Sequence, residues 1–532
     1  MQLADSHSTS IADSSTQVTS DPTQLTRDQL RILLGSVFII AACSLLYELL
    51  ISSLSTYLLG SSVIHYSITI GLFLFFMGVG AGLSVLITKS LTATFVAIEL
   101  AIGLLGGLSA FVLFAAYVWS EAYYPVMLLV IASLSTLIGM EIPLLTRLME
   151  KSEGLRKSIS EVLSFDYLGA LGASLLFPFV LLPYFGHLTA AAGAGLLNLL
   201  VAAFVCWHFR HHLGKWRLPL LSAAALGIAA LALFVILHKP LQRVMEQALY
   251  QDTVIYSEQS KYQKLVVTRW GEDLRLYLDS SLQFSSVDEY RYHETLVHAP
   301  AAFSYAHSNV LIIGGGDGLA ARELLRYPEL QELTIVELDP AVSTLASTLP
   351  ALKRLNQNAL QDPRVSVIHK DAWQWLADSQ QIFDLILIDL PDPSTEDTAR
   401  LYTVAFYQRA AKRLAAGGVL LTQATSPWFA PQAFWSIGAT LEEVFKQVQP
   451  LSVYIPSFGP WGFFMASQQT FATPKLLPED LQFLDKQTLA NALIPDPDRP
   501  KLNMQPNRIG KLPLLQYYAK GWNFINIGTQ RP

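Results

Sequence analysis

The chain has 532 residues, of which 52% are hydrophobic and only 15% charged. A single core stops growing near ~300 residues, and soluble domains carry about 25% charged residues, so one ordinary water-soluble domain is excluded. The formal charge of −6 also excludes the global basic field that gathers nucleic acid.

Residues 1–29 are rich in Ser, Thr, Asp and Gln and lack the basic start and apolar stretch of a secretory signal; they read as a disordered tail. Long apolar runs follow near 32–52, 64–87, 94–119, 124–145, 163–184, 188–208 and 218–237. Each reaches the ~20 residues that cross a ~30 Å hydrocarbon core as a helix. Residues 30–240 are therefore predicted to form a multi-span α-helical membrane domain of about seven helices, with the lipid bilayer as partner and the cell membrane as location. Cys43 and Cys206 both lie inside apolar runs, which supports neither a disulfide framework nor a cysteine metal site. In a seven-span arrangement Arg27, Arg31, Lys89, Arg147, Lys151, Arg156, Lys157, Arg210, Lys215 and Arg217 fall on one side, which should be the cytoplasmic one. An odd number of spans would place the C-terminal half on the other side, and a re-entrant segment or one span fewer would return it to the same side, so parity leaves the side open. Glu48, Glu99, Glu141 and Asp166 interrupt the apolar runs. They either pack helices at an interface or line a path through the bundle.

Beyond residue 240 the apolar runs shorten and are separated by charged, Gly and Pro positions. Lys264–Thr268 and Leu274–Leu278 read as a hairpin. Val310–Ile313, Leu333–Glu337, Val365–Ile368, Leu385–Asp389 and Val419–Gln423 read as strands, with helices at Gly318–Arg326, Pro340–Leu349 and Ala405–Leu414. This alternation predicts an α/β Rossmann-like domain over residues 245–475, and the glycine turn at 314–318 with Glu337 and Asp371 at strand ends makes it S-adenosylmethionine-methyltransferase-like. It is built on a parallel sheet, with a small N-terminal β-hairpin region. Residues 476–532 form a C-terminal extension.

The densest local signal is Val310-Leu-Ile-Ile-Gly-Gly-Gly-Asp-Gly-Leu-Ala-Ala, a strand, a glycine turn and a helix. Glycines let the backbone approach a nucleoside at the strand's carboxyl end. Glu337 ends the next strand, where an acid can accept both hydrogen bonds of a ribose diol. Asp371 follows the strand after that and suits the exocyclic amine of adenine, although a plain helix cap also places Asp there. Asp317 in the glycine turn selects between donors. It would repel the carboxylate of S-adenosylmethionine and attract the lone amine of the decarboxylated form.

Gly314-Gly-Gly-Asp-Gly, Val336-Glu-Leu-Asp, Asp371-Ala and Asp389-Leu-Pro-Asp-Pro match in order and spacing the motifs of spermidine synthases. Tyr262-Gln, Leu278-Asp-Ser-Ser-Leu-Gln-Phe and Asp288-Glu-Tyr-Arg-Tyr-His-Glu match that family's opening hairpin and the helix after it. The C-terminal half thus resembles the polyamine aminopropyltransferase (spermidine synthase) family, and the apolar half resembles multi-span regions fused to some bacterial members. The resemblance implies transfer of an aminopropyl group from decarboxylated S-adenosylmethionine to a diamine, putrescine by default, giving spermidine and S-methyl-5'-thioadenosine. It implies that Gln263, Glu337 and Asp371 with Ala372 hold the nucleoside. His293 and Asp317 would face the amine-bearing chain, Asp389 would accept the proton and Asp392 would hold the cationic amine. No metal or cofactor is implied beyond the cosubstrate, and homo-oligomers are common in the family. Two departures touch the amine end: Leu390-Pro391 between the acids, and Phe458 where a tyrosine is common, with Trp461 left to offer an aromatic wall. The alternatives are a methyltransferase on this fold, or a polyamine-sensing or transporting membrane protein with a non-catalytic domain.

Overall fold

The computed structural model describes residues 26–59, 62–120 and 122–528. The chain divides into two compact units, Met1–Leu58 with Val63–Gln242, and Arg243–Pro532 with Leu59–Ser62. The predicted tail lies outside the described residues up to position 25, and the first helix begins at Arg27.

Seven helices make up the N-terminal region: α1 Arg27–Leu59, α2 Ser62–Leu83, α3 Leu91–Trp119, α4 Tyr123–Glu153, α5 Leu155–Leu176, α6 Leu182–His208 and α7 Arg217–Leu249. Six helical segments are long and apolar enough to cross a membrane, because Leu155–His208 runs on as one segment of 54 residues. The seven apolar runs of the sequence fall on these seven helices, with α5 and α6 both lying inside that one segment. A π turn over Phe177–Leu181 carries α5 into α6, where Pro178 and Pro183 lack the N–H groups that would continue the regular ladder. Gly186, at φ 68°, then kinks the run, so an apolar reading alone could not tell one bent segment from two. Close packing depends on glycine. A Cβ on Gly195 of α6 would lie 2.4 Å from the Gly103 carbonyl oxygen of α3, a backbone approach found where small residues line helix contacts. Away from these contacts Leu74, Phe75, Leu129, Phe179, Leu226 and Ile236 are 62–74% exposed.

The second unit opens with a four-stranded antiparallel sheet, β1 Thr253–Gln259, β2 Lys264–Trp270, β3 Asp273–Leu278 and β4 Ser281–Ser285, where the sequence predicted a single hairpin. Its buried face, Leu265, Val267, Leu276 and Phe284, packs on Leu319, Val342, Leu345 and Leu352. Helix α8, Glu289–Phe303, leads into a seven-stranded sheet. Its strands are β5 Asn309–Gly314, β6 Glu332–Glu337, β7 Val365–His369, β8 Phe383–Asp389, β9 Leu414–Gln423, β10 Gln447–Ile455 and β11 Gly459–Ser467, in the spatial order β10-β11-β9-β8-β5-β6-β7. The five strands β5 to β9 pair in parallel, and their near-continuous Val, Ile and Leu content suits a sheet covered on both faces.

The expected parallel sheet is corrected at one edge, where β10 and β11 pair antiparallel to each other and β11 antiparallel to β9. The tight connection through Ser457 and Phe458, with Gly459 at φ 79°, allows no crossover, and so only a hairpin can form. Pro450 and Pro460 hid these strands in the sequence. Residues beyond 476 pack into the same unit: Leu514 is fully buried in a core that includes Ile386, Phe434 and Phe464.

Candidate active site

The chain order reverses across β5, with β6 and β7 on one side and β8 and β9 on the other. Ligands bind in the crevice that such a reversal opens at the strands' carboxyl ends. The predicted acids all sit along that crest.

Gly314 pairs with Asp389 across β5 and β8. A side chain at Gly314, where φ is 84°, would fall 1.9 Å from the Asp389 carbonyl oxygen, so only glycine lets the turn pass. Gly316 donates its N–H to Glu337 Oε2 at 3.1 Å, and Asp339 donates to Glu337 Oε1 at 2.9 Å. Burial pushes the Glu337 carboxyl up to about 7, against those two backbone bonds and helped by the nearby charges of Asp339 and Asp317. Each oxygen keeps a lone pair for a further donor.

Asp317 accepts the Leu319 N–H at 2.8 Å, at the first residue of the helix that follows the turn. Burial raises its carboxyl, and the His293 charge opposes the rise. His293, on α8, is buried and hydrogen bonds Glu289 Oε2 at 2.7 Å. Burial alone would lower its value, but the Glu289 bond and charge, with Asp317 and Asp389 beyond, hold it at about 9. His293 is therefore a cation between acids at neutral pH.

Asp389 ends β8. Its Oδ1 accepts the Tyr292 hydroxyl at 2.6 Å. Burial first, then the Asp317 charge, push its carboxyl up to about 6, while His293 and the Tyr292 bond pull it down. Asp392 accepts Gln423 Nε2 at 3.3 Å, Thr425 Oγ1 at 3.2 Å and the Tyr518 hydroxyl. Burial raises it to about 6 against those bonds. Thr425 takes a left-handed backbone, φ 58°, to turn toward it.

The structure thus brings Asp317, Asp389 and His293 within one electrostatic neighbourhood, joined to Glu337 through Asp317. Two predicted residues have other partners. Asp371 caps its helix, with Oδ1 accepting the Trp373 N–H at 2.7 Å, while its second oxygen pairs with Arg400; Ala372 is the first residue of that helix. Gln263 donates to Asp339 Oδ2 at 3.2 Å, so it reaches the crest through the cap of the helix after β6. Trp461 is buried in the sheet core with its ring 5.1 Å from Phe458. Sequence reasoning missed Tyr292, Arg400 and Tyr518. Tyr292 stands beside His293 in a matched motif and could have been found, whereas nothing local marks Tyr518, which comes far along the chain from Asp392.

A glycine-turned Rossmann-type sheet with acids on successive strand ends defines a nucleoside-binding transferase domain. Residues 289–476 match the spermine/spermidine synthase domain. Polyamine aminopropyltransferase 2 of Ralstonia nicotianae is 41% identical over 509 residues, covering 93% of this chain and 98% of the relative. The polyamine aminopropyltransferase of Leptospira interrogans is 40% identical over 491 residues, covering 92% and 98%. A crystal structure of spermidine synthase in complex with the transition state analogue AdoDATO aligns with a TM-score of 0.43 and 26% identity, covering 46% of this chain and 86% of that one. The chain belongs to the polyamine aminopropyltransferase family and is a transferase.

Proposed function

We propose that this enzyme transfers the aminopropyl group of decarboxylated S-adenosylmethionine to a diamine, with putrescine as the default acceptor, giving spermidine and S-methyl-5'-thioadenosine. The observation that carries this is the pair of half-buried acids Asp317 and Asp389 at the crevice, where the Asp317 charge adds to the rise of the Asp389 carboxyl. Such a pocket welcomes an ammonium and repels a carboxylate, which favours the decarboxylated donor over the methyl donor.

Glu337 would take the ribose diol on its open lone pairs. Asp371 and Ala372 would meet the adenine and Gln263 would support the nucleoside side, while Asp317 with His293 would face the chain that bears the amine. The acceptor's neutral nitrogen attacks the carbon next to the sulfonium in line. A nitrogen–carbon bond forms as the carbon–sulfur bond breaks, its electron pair neutralises the sulfonium to a thioether, and the nitrogen's proton passes to Asp389. A carboxyl near 6 is largely ionised at pH 7 to 8 and still close enough to the operating pH to act as base. Asp392 would hold the remote ammonium and fix the diamine's length. The exposed apolar side chains of the N-terminal helices are of the kind that face lipid, and we read the six long segments as crossing the cell membrane.

Incubating the purified full chain with each donor and a panel of diamines, then identifying products by mass, tests the reading. Methylthioadenosine should appear with the decarboxylated donor and a diamine. Its absence with every amine from folded protein, or methylated product from S-adenosylmethionine, would sink it.

A further inference from the structure

Four polar side chains meet inside the N-terminal helical unit, one from each of four helices: Tyr47 of α1, Glu99 of α3, Glu141 of α4 and Asn198 of α6. Tyr47, Glu99 and Asn198 are wholly buried, and Glu141 is 4% exposed. Asn198 Nδ2 donates to Glu99 Oε2 at 3.1 Å and to the Glu99 carbonyl oxygen at 3.0 Å, which turns its amide toward that carboxylate. The charges of Glu99 and Glu141 act on each other and on Tyr47. The Tyr47 ring lies against α3 where Gly106 leaves room for it, since a Cβ there would fall 2.5 Å from the ring.

Beyond the Asn198–Glu99 bond, open atoms remain on all four side chains. Among the described residues, Glu99 Oε1, Glu141 Oε1, Asn198 Oδ1 and the Tyr47 hydroxyl have no hydrogen-bond partner. A buried polar atom left open costs about 1–3 kcal/mol, and more for a charged one. Glu294, by contrast, does not carry that cost: it accepts three backbone N–H groups at 2.7, 2.9 and 2.8 Å. Open acceptors at the meeting point of four helices mark a place that a donor fills.

We propose that Tyr47, Glu99, Glu141 and Asn198 form a second binding site, for a protonated alkylamine, separate from the catalytic crevice. A primary ammonium carries three N–H donors, matching the open oxygens of Glu99, Glu141 and Asn198, and a cation offsets the two buried carboxylates. Among the described residues no three His, Cys, Asp or Glu side chains gather as a metal ion would require. The choice of an amine rests on the aminopropyl-transfer reading, in which acceptor and product are both polyamines.

The test uses the full chain in lipid nanodiscs with Asp389→Asn and Asp392→Asn, which weaken the amine anchor in the crevice. Radiolabelled putrescine and spermidine are the probes. Saturable binding should remain, weaken at least tenfold on adding Glu99→Gln, and weaken severalfold on adding Tyr47→Phe, a variant that keeps the ring's packing should the first fail to fold. The proposal is overturned if no saturable amine binding remains, if neither change affects it, or if sodium displaces the amine as well as another amine does. Amine binding with this pattern, alongside a wild-type enzyme that forms no methylthioadenosine, would remove the reaction and keep the site.

Discussion

Glu323 in the α/β unit accepts His298 at 3.1 Å, Arg322 at 2.8 Å and Arg326 at 2.7 Å, whereas Glu99 in the helical unit accepts one side-chain bond and leaves an oxygen open. The crest acids lie between these extremes. Asp389 has one hydroxyl donor, and Glu337 has two backbone donors and spare lone pairs. A buried carboxylate that serves the fold is saturated by protein donors, and its proton affinity falls. One that serves a ligand is left partly unanswered, and its proton affinity rises. The directions follow this division for Glu323, lowered to about 2 by its cationic partners despite burial, and for Glu337 and Asp389, raised to about 7 and 6 chiefly by burial; Asp392 is raised to about 6 because burial outweighs its three neutral donors.

The largest test of the division is Asp389→Asn. An isosteric amide keeps the shape and cannot accept the proton, so turnover should fall by about 10³, within the range for a lost general base, with nucleoside binding retained in a direct titration. An active variant would move the base elsewhere. Next is Glu323→Gln, which should cost about 3 kcal/mol of stability at neutral pH by linkage. Its folded value lies below the unfolded one, so the contribution is fully present above about 4.5 and is lost as pH falls toward about 2. Thermal unfolding of the full chain in detergent should therefore show a gap between variant and parent at pH 7 that narrows by pH 4. A constant gap would make the role one of packing alone.

How much of this was legible in the sequence depends on distance along the chain. The crest acids were, because each closes its own apolar strand within a few residues: Asp317 after Ile313, Glu337 after Val336, Asp389 after Ile388. The five parallel strands followed for the same reason. What was missed depends on contacts that no local pattern encodes. Arg400 reaches Asp371 from a separate short helical turn, a partner that the residues adjacent to Asp371 do not announce. Glu294 holds the backbone of Gln482, Phe483 and Leu484, so a segment that looked like an appended tail is fixed to α8. In the helical region apolar length was read correctly, but the π turn over Phe177–Leu181 has no compositional mark beyond its prolines.

Tyr292→Phe sharpens the comparison at the catalytic acid. The hydroxyl favours the ionised form of Asp389, so removing it should raise that carboxyl further from about 6. The base must be ionised to work, and the acidic limb of the kcat/KM profile should therefore move to higher pH by about one unit, the equivalent of ~1.4 kcal/mol. An unmoved limb with a uniformly lower rate would leave Tyr292 only a packing role.

The smallest expected effect lies at Asp392. Tyr518 comes from helix Pro513–Gly528, and its bond opposes the rise that burial imposes on Asp392. Tyr518→Phe removes one of three donors, so Asp392 should become easier to protonate and hold a remote ammonium less well near neutral pH. The KM for the diamine should rise about threefold to fivefold at pH 7, ~0.7–1 kcal/mol, with kcat nearly unchanged because the proton acceptor is a different residue. The rise should shrink above pH 8, where Asp392 is ionised with or without the phenol. If KM rises equally at every pH, Tyr518 acts by shaping the pocket, and the hydrogen bond does not set the charge that anchors the amine.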